Sequence, residues 1–330
     1  MKSTIFKIYL VIFIGFNVSL QAQEIHKQSM GLMGSDFDIT VVAKDKTQAL
    51  AYIDTAVEEI YRIEKLISSW KPTSQTSEIN RNAGIKPVKV DAELFNLIKR
   101  SKAISELTNG AFDISFAAIE KLFSFDGKAT TWPTKESIAS SVKKIGYQKI
   151  ILDQKAQTVF LKEQGMRIGF GAIGKGYAAD MAKALLKSKG VQAGIINASG
   201  DMNAWGKQPD GSSWKIAITN PMDKSNNFGL FDLNRQAVVT SGNYEKFILV
   251  DGVRYAHIID PRTGMPTTGI LSVTIFAPKA ELADALATSI FVMGDEVGLN
   301  LINQLPDVEA IIVKDDGKLS ISNNIKINSK

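Results

Sequence analysis

The run Gly169-Phe170-Gly171-Ala172-Ile173-Gly174-Lys175-Gly176-Tyr177-Ala178-Ala179-Asp180 opens a helix that extends to about Lys189, yet belongs to no strand–helix–strand repeat. Glycines at that entrance let a ligand approach the backbone closely. The helix start supplies N–H donors and a positive dipole end suited to phosphate. Lys175 adds a mobile cation. The spacing is not that of the phosphate loop G-x-x-x-x-G-K-[ST], because Gly176 stands where Ser or Thr is required. It is also not G-x-G-x-x-G within an N-terminal βαβ unit. On its own, a flexible turn before a helix explains it equally well.

Working outward, Phe37, Ile39 and Val41 alternate with polar residues and read as a strand. Apolar residues at helical spacing predict a long helix over 48–68 and another over 92–107, ended by Asn109-Gly110. The polar, turn-rich segment 69–84 reads as a loop. A helix is expected over 133–145 and a hairpin around Asp153-Gln154. Ile195-Ile196 reads as a short buried strand running into the tight turn NASGDMNAWG at 197–206. Further strands are expected at 214–219, 237–240, 247–250 and 272–277, then a helix over 281–293. A closing hairpin is expected around Asp315-Asp316-Gly317. Helices and strands mix without βαβ alternation. The expected class is therefore α+β, one continuous domain over 23–330 with room for two lobes.

The first residues read as an export signal: Lys2 and Lys7, the apolar run Ile8–Phe16, and a small-residue exit at Leu20-Gln21-Ala22. That run is shorter than the ~20 residues of a membrane span. Residues 1–22 are accordingly expected to be a signal peptide; the alternative is an uncleaved N-terminal anchor. The chain has no cysteine, which excludes a disulfide scaffold, an N-terminal lipid thioether and any thiolate metal site. Metal ligands must be oxygens or one of two histidines, His26 and His257. A net charge of +5 spread along the chain gives no basic stripe, so no nucleic-acid partner is expected.

Three more segments carry polar groups suited to chemistry. NASGDM sets Asp201 beside Gly200, where an Asx-turn role is the commoner one. HIIDPRTG places His257 near Asp260 and Arg262; such a histidine suits proton transfer near neutrality, or is a hydrogen-bonded strand residue. ADALATSIFVMG sets Asp284 and Thr288 four apart, on one face of an apolar helix. Burying both oxygens is costly without partners, and Mg²⁺ would satisfy both. The alternative is local satisfaction, with Thr288 bonded back to a helix carbonyl.

Taken in series, these segments resemble the FAD:protein FMN transferase family, the ApbE-type flavin transferases. The resemblance runs from Met33-Gly34-Ser35 through SSWKPTSQTSEIN, TNGAFDIS, GAIGKGYAAD, NASGDM, VVTSGNYEKF and HIIDPRTG to ADALATSIFVMG. It implies an ApbE-like, T-fold-like α+β fold of mixed helices and antiparallel sheets, with FAD as substrate and one or two Mg²⁺ ions. It implies Asp284, Thr288 and the Ala172 carbonyl as metal ligands. It implies Met33, Trp70, Asn80, Ala111, Phe112, Asp113, Lys175 and Ile258 as flavin-nucleotide contacts. His257, Asp284 and Lys175 are the catalytic candidates. The family usually carries Asp where this chain has Gly169, which removes one expected nucleotide contact; Gly174 replaces Ala. The implied reaction moves FMN from FAD to a Thr or Ser hydroxyl of an acceptor protein and releases AMP. Expected acceptors belong to exported or membrane redox complexes, and the expected location is the periplasm, with inner-membrane association. Hydrolysis of FAD to FMN and AMP, or flavin binding without turnover, are the alternatives. The oligomeric state is not legible.

Overall fold

The computed structural model describes residues 23–119, 122–125, 132–233, 237–243 and 246–325. The expected export signal, and Tyr244 and Glu245 of the VVTSGNYEKF motif, lie outside the described residues.

The chain begins with a hairpin, β1 (Glu24–Leu32) and β2 (Ser35–Ala43), turned at Met33-Gly34, where both φ angles are positive. There follow α1 (Lys46–Ile67), α2 (Gln75–Arg81), β3 (Val88–Lys89), α3 (Ala92–Leu107) and α4 (Lys135–Val142). Next come β4 (Ile150–Asp153), β5 (Thr158–Leu161), α5 (Gly174–Ser188), β6 (Gly194–Ala198) and β7 (Asp201–Trp205). The hairpins β8 (Trp214–Asn220)–β9 (Asp223–Leu233) and β11 (Phe247–Val250)–β12 (Val253–Ala256) flank β10 (Ala237–Gly242). The chain closes with β13 (Ile270–Ala277), α6 (Ala280–Met293), α7 (Asp295–Ile302), β14 (Glu309–Lys314) and β15 (Leu319–Ile321).

The centre is an eight-stranded antiparallel sheet in the order β1-β2-β6-β7-β10-β13-β14-β15. Its two faces sort by the period of a strand. Val239, Ile275 and Ile312 join the main core under α1, α5 and α6, whereas Val238, Phe276 and Ile311 pack beneath β8 and β9. Covered on both faces, β13 is buried along its whole length, so it reads as a continuous apolar run. The main core reaches in one cluster from Leu32 to Ile312. Helix α1 buries Ile53, Ile60, Ile63 and Ile67 on one stripe, and its start is capped by Asp45, which accepts from the Gln48 amide at 2.8 Å.

Two local expectations are corrected. The polar segment 69–84 contains α2. Ser74 accepts from the Ser77 amide at 2.9 Å and starts the helix, and Ile79, 1% exposed, anchors it. The stretch 197–206 is a β-hairpin: only Ser199-Gly200 turns, with φ 55° and 100°, and Asp201 already begins β7. Positive φ at both central residues is what a two-residue hairpin loop demands. Among the described residues, no helix is long and apolar enough to cross a membrane.

Candidate active site

A cavity of about 720 Å³ opens where four parts of the chain meet. The loop before α5 and its first turn bring Gly171, Ala172 and Lys175. Helix α6 brings Asp284 and Thr288. The β6–β7 turn and the end of β10 bring Ser199, Gly200 and Thr240–Gly242. The opposite wall is Ala111–Asp113 and Phe116 after α3, with Lys246 and His257–Ile259 at the foot of the β11–β12 hairpin.

Helix α6 is fixed to α5 before any ligand is considered. Asp180 of α5 accepts from the Ala280 amide at 3.0 Å and from the Glu281 amide at 3.1 Å, and so caps α6 across a gap of 100 residues. Asn203 donates to the same carboxylate. Burial pushes the Asp180 pKa up, and the two amides pull against that rise. Asp180→Ala is expected to cost about 2 kcal/mol, the worth of a lost cap plus stranded amides. The readout is the thermal midpoint by circular dichroism, together with faster amide exchange at the start of α6. An unchanged midpoint would remove the capping role.

Asp284 is 3% exposed and projects from α6 onto the start of α5, where its Oδ2 accepts from the Gly176 amide at 3.2 Å. Gly176 lies in the first turn of α5, where an amide has no carbonyl partner within the helix, and Asp284 takes it up. Ala172 stands just before the Ile173 cap of α5 and lines the same cavity. The next hydroxyl pair on α6 shows a parallel contrast. Ser289 bonds back to the Ala285 carbonyl at 2.6 Å, whereas the Thr288 hydroxyl has no hydrogen bond among the described residues. Local satisfaction of Thr288 is therefore not what the fold provides.

Asp201, 1% exposed, faces the same cluster from β7 and accepts from Lys175 Nζ at 2.5 Å. Burial raises the Asp201 pKa from its ordinary value and Asp284 raises it further, while the charge and hydrogen bond of Lys175 favour the carboxylate. Burial alone would lower the Lys175 pKa, but Asp284 and Asp201 together hold it above its ordinary value. Two buried carboxylates thus share one ammonium, and the cluster is short of positive charge. A hard divalent cation fits that deficit, with carboxylate, hydroxyl and carbonyl oxygens as its donors. Among the described residues no cluster of three or more His, Asp or Glu side chains could hold a metal, so the hydroxyl and carbonyl donors are needed.

The other sequence candidates divide. Ala111, Phe112, Asp113, Ile258 and His257 line the cavity with Ala172, Lys175, Asp284 and Thr288. The Asp113 carboxylate is taken up locally, by Ser115 N and Oγ at 2.8 and 2.7 Å and by Tyr147 N at 2.6 Å. Burial raises its pKa and those hydrogen bonds oppose the rise. His257 is exposed at the rim, with Nδ1 3.3 Å from the Lys246 carbonyl and Phe125 edge-on to its ring. Met33, Trp70 and Asn80 do not line this cavity. Met33 borders a shallower one of about 550 Å³ with Tyr61, Glu64 and Lys71, and Trp70 is 63% exposed. Both ends of the Asn80 amide are engaged by Ile168, at 2.9 and 2.8 Å, which ties α2 to the glycine-rich segment. At Gly169 a Cβ would stand 3.1 Å from Ala117 Cβ, and the amide is bonded to the Ile114 carbonyl at 2.8 Å. Glycine suits that close approach. Asp201, expected in an Asx turn, instead begins a strand; the Ser-Gly pair before it is the turn signal that places it there.

The site and fold have counterparts in known proteins. The sequence profile of the ApbE family matches residues 33–312. An FAD:protein FMN transferase of Klebsiella pneumoniae is 32% identical over 300 residues, covering 90% of this chain and 92% of that protein. One of Treponema pallidum is 33% identical over 294 residues, covering 83% and 81%. The crystal structure of the ApbE protein from Thermotoga maritima superposes with a TM-score of 0.83 at 32% identity, covering 91% of this chain and 97% of that one. The flavin transferase ApbE from Vibrio cholerae gives 0.79 at 28%, covering 91% and 98%.

Proposed function

The chain belongs to the ApbE family, and from that premise we propose that it is an FAD:protein FMN transferase that works with Mg²⁺. It takes FMN from FAD, attaches it to a Thr or Ser hydroxyl of an acceptor protein and releases AMP. The observation that carries the reading is the convergence of Asp284, Thr288, the Ala172 carbonyl and Lys175 at the positive start of α5, inside one cavity.

Asp284, Thr288 and the Ala172 carbonyl would hold the magnesium, whose charge would neutralise the diphosphate of FAD. Lys175, held protonated by its two carboxylates, adds a second positive charge at the same place. The remaining chemistry belongs to positioning. The acceptor oxygen forms a bond to the FMN phosphorus while the bond to the AMP phosphate oxygen breaks, and AMP leaves with that electron pair. His257 at the rim accepts the proton of the attacking hydroxyl. Ala111–Asp113 and Ile258 form the wall on which the nucleotide rests.

The N-terminal lysines and apolar run support export. Export to the periplasm, with association at the inner membrane, would put the enzyme beside the flavin-carrying subunits of membrane redox complexes, its proposed acceptors.

The test is to incubate the protein with FAD, Mg²⁺ and an acceptor carrying a D-x-x-[ST]-x-T-like segment. The expected product is an acceptor whose mass rises by FMN and whose flavin fluorescence survives denaturation, with loss of the product when EDTA is added. Free FMN and AMP without labelled acceptor would instead make the chain an FAD pyrophosphatase. Intact FAD after long incubation would make it a binding protein.

A further inference from the structure

Asp201 belongs to none of the ligand or contact sets above, yet it is buried at the centre of the cluster. Its place is tightly fixed. The Ser199-Gly200 turn delivers it to the first position of β7, paired with Ala198 on one side and Val239 on the other. Its carboxylate therefore cannot drift along the sheet. Lys175 and Asp284 meet at the start of α5: Lys175 is the second residue of that helix, and the next amide, Gly176, donates to Asp284. The charge of Asp284 also helps to keep Lys175 protonated, so that carboxylate is within its electrostatic reach. The lysine nevertheless hydrogen-bonds to Asp201, at 2.5 Å.

A lysine ammonium is a compact charge on a flexible stem, and it goes to the strongest acceptor it can reach. Without Asp201, the strongest remaining acceptor is Asp284. A cation approaching Asp284 would then have to displace an ammonium already seated there. We propose that Asp201 is a positioning residue that holds Lys175 off Asp284 and so keeps that carboxylate open to a divalent cation. The inference rests on the metal reading of Asp284. It adds that the ligand set depends on a restraint placed upon its neighbouring lysine.

The experiment is Mg²⁺ titration by calorimetry on the full chain in four forms: unaltered, Asp201→Asn, Lys175→Met and the double variant. Asp201→Asn removes a charge at constant volume. It is expected to weaken Mg²⁺ binding about tenfold, within the range of coupling between charged neighbours in contact. With Lys175→Met already in place there is no ammonium to release, and the same change is expected to shift binding by less than about threefold. An equal factor in both backgrounds would mean that Asp201 acts through its own charge, and would overturn the proposal. No effect in either background would do so too. Asp201→Ala, which leaves the lysine no acceptor at position 201, is measured alongside and is expected to weaken binding at least as much. If neither Asp201 variant folds, the residue is structural and the proposal fails. If the unaltered chain and Asp284→Ala take up Mg²⁺ alike, the metal reading has failed instead.

Discussion

Replacing Asp284 by alanine is expected to slow FMN transfer about a thousandfold, the equivalent of ~4 kcal/mol of transition-state stabilisation lost with the metal. The size follows from where the carboxylate sits. It is the charged member of the proposed ligand set, and the other two donors, a hydroxyl and a carbonyl, cannot retain a divalent cation at comparable strength. The fold should tolerate the change, because removing Asp284 relieves the like-charge pressure on Asp201 and costs one hydrogen bond of 3.2 Å. The measurements are single-turnover labelling of an acceptor and Mg²⁺ affinity, with the thermal midpoint as control. Asp284→Asn, which can still accept from Gly176, should lose the metal but keep the helix start. Unimpaired transfer in Asp284→Ala would sink the metal assignment.

Gly176→Ala is expected to abolish or gravely weaken folding. A Cβ at this position would lie 2.2 Å from the Ala280 carbonyl oxygen, 2.5 Å from its carbon and 2.9 Å from the Glu281 nitrogen. These are backbone atoms at the capped start of α6, so no side chain can rotate away. Helices α5 and α6 would have to separate, and Asp180 would lose its grip on the two amides it caps. The cost is put at about 3 kcal/mol or more, the upper range for overpacking. Gly174→Ala is the control within the same helix turn. There the nearest atom is Ile67 Cδ1 at 2.9 Å, the end of a flexible side chain. The helix-propensity gain of ~1 kcal/mol should roughly offset the crowding. Equal denaturation midpoints for the two variants would refute the close-approach argument.

What the sequence shows of this fold depends on how much each element advertises burial. The helix over 92–107 shows its period clearly because one face packs inward, whereas the strands at 237–240 and 272–277 and the helix over 281–293 show as apolar runs because they are covered on more than one side. Strand β1 carries Lys27, Gln28 and Ser29 on an edge of the sheet, which matches no apolar pattern. Helix α2 is short and polar, and rests on one cap and one buried isoleucine. In the site, the four-residue spacing of Asp284 and Thr288 is legible because helix geometry is local. The Ala172 carbonyl leaves no mark in a sequence, since any residue has one; only the family resemblance pointed to it. The pairing of Lys175 with Asp201 joins residues 26 apart and needs the sheet to exist first.

The cap that Asp180 places on α6 has a consequence for how this architecture can vary. The distance between the glycine-rich entrance and the acidic helix is set by a direct clasp between α5 and α6, not by the tract of chain that joins them. The β8–β9 hairpin within that tract packs on the other side of the sheet, away from the clasp. Descendants of this chain are thus at liberty to lengthen, trim or redecorate that hairpin without retuning the chemistry, so surface novelty and catalytic constancy can evolve on separate schedules.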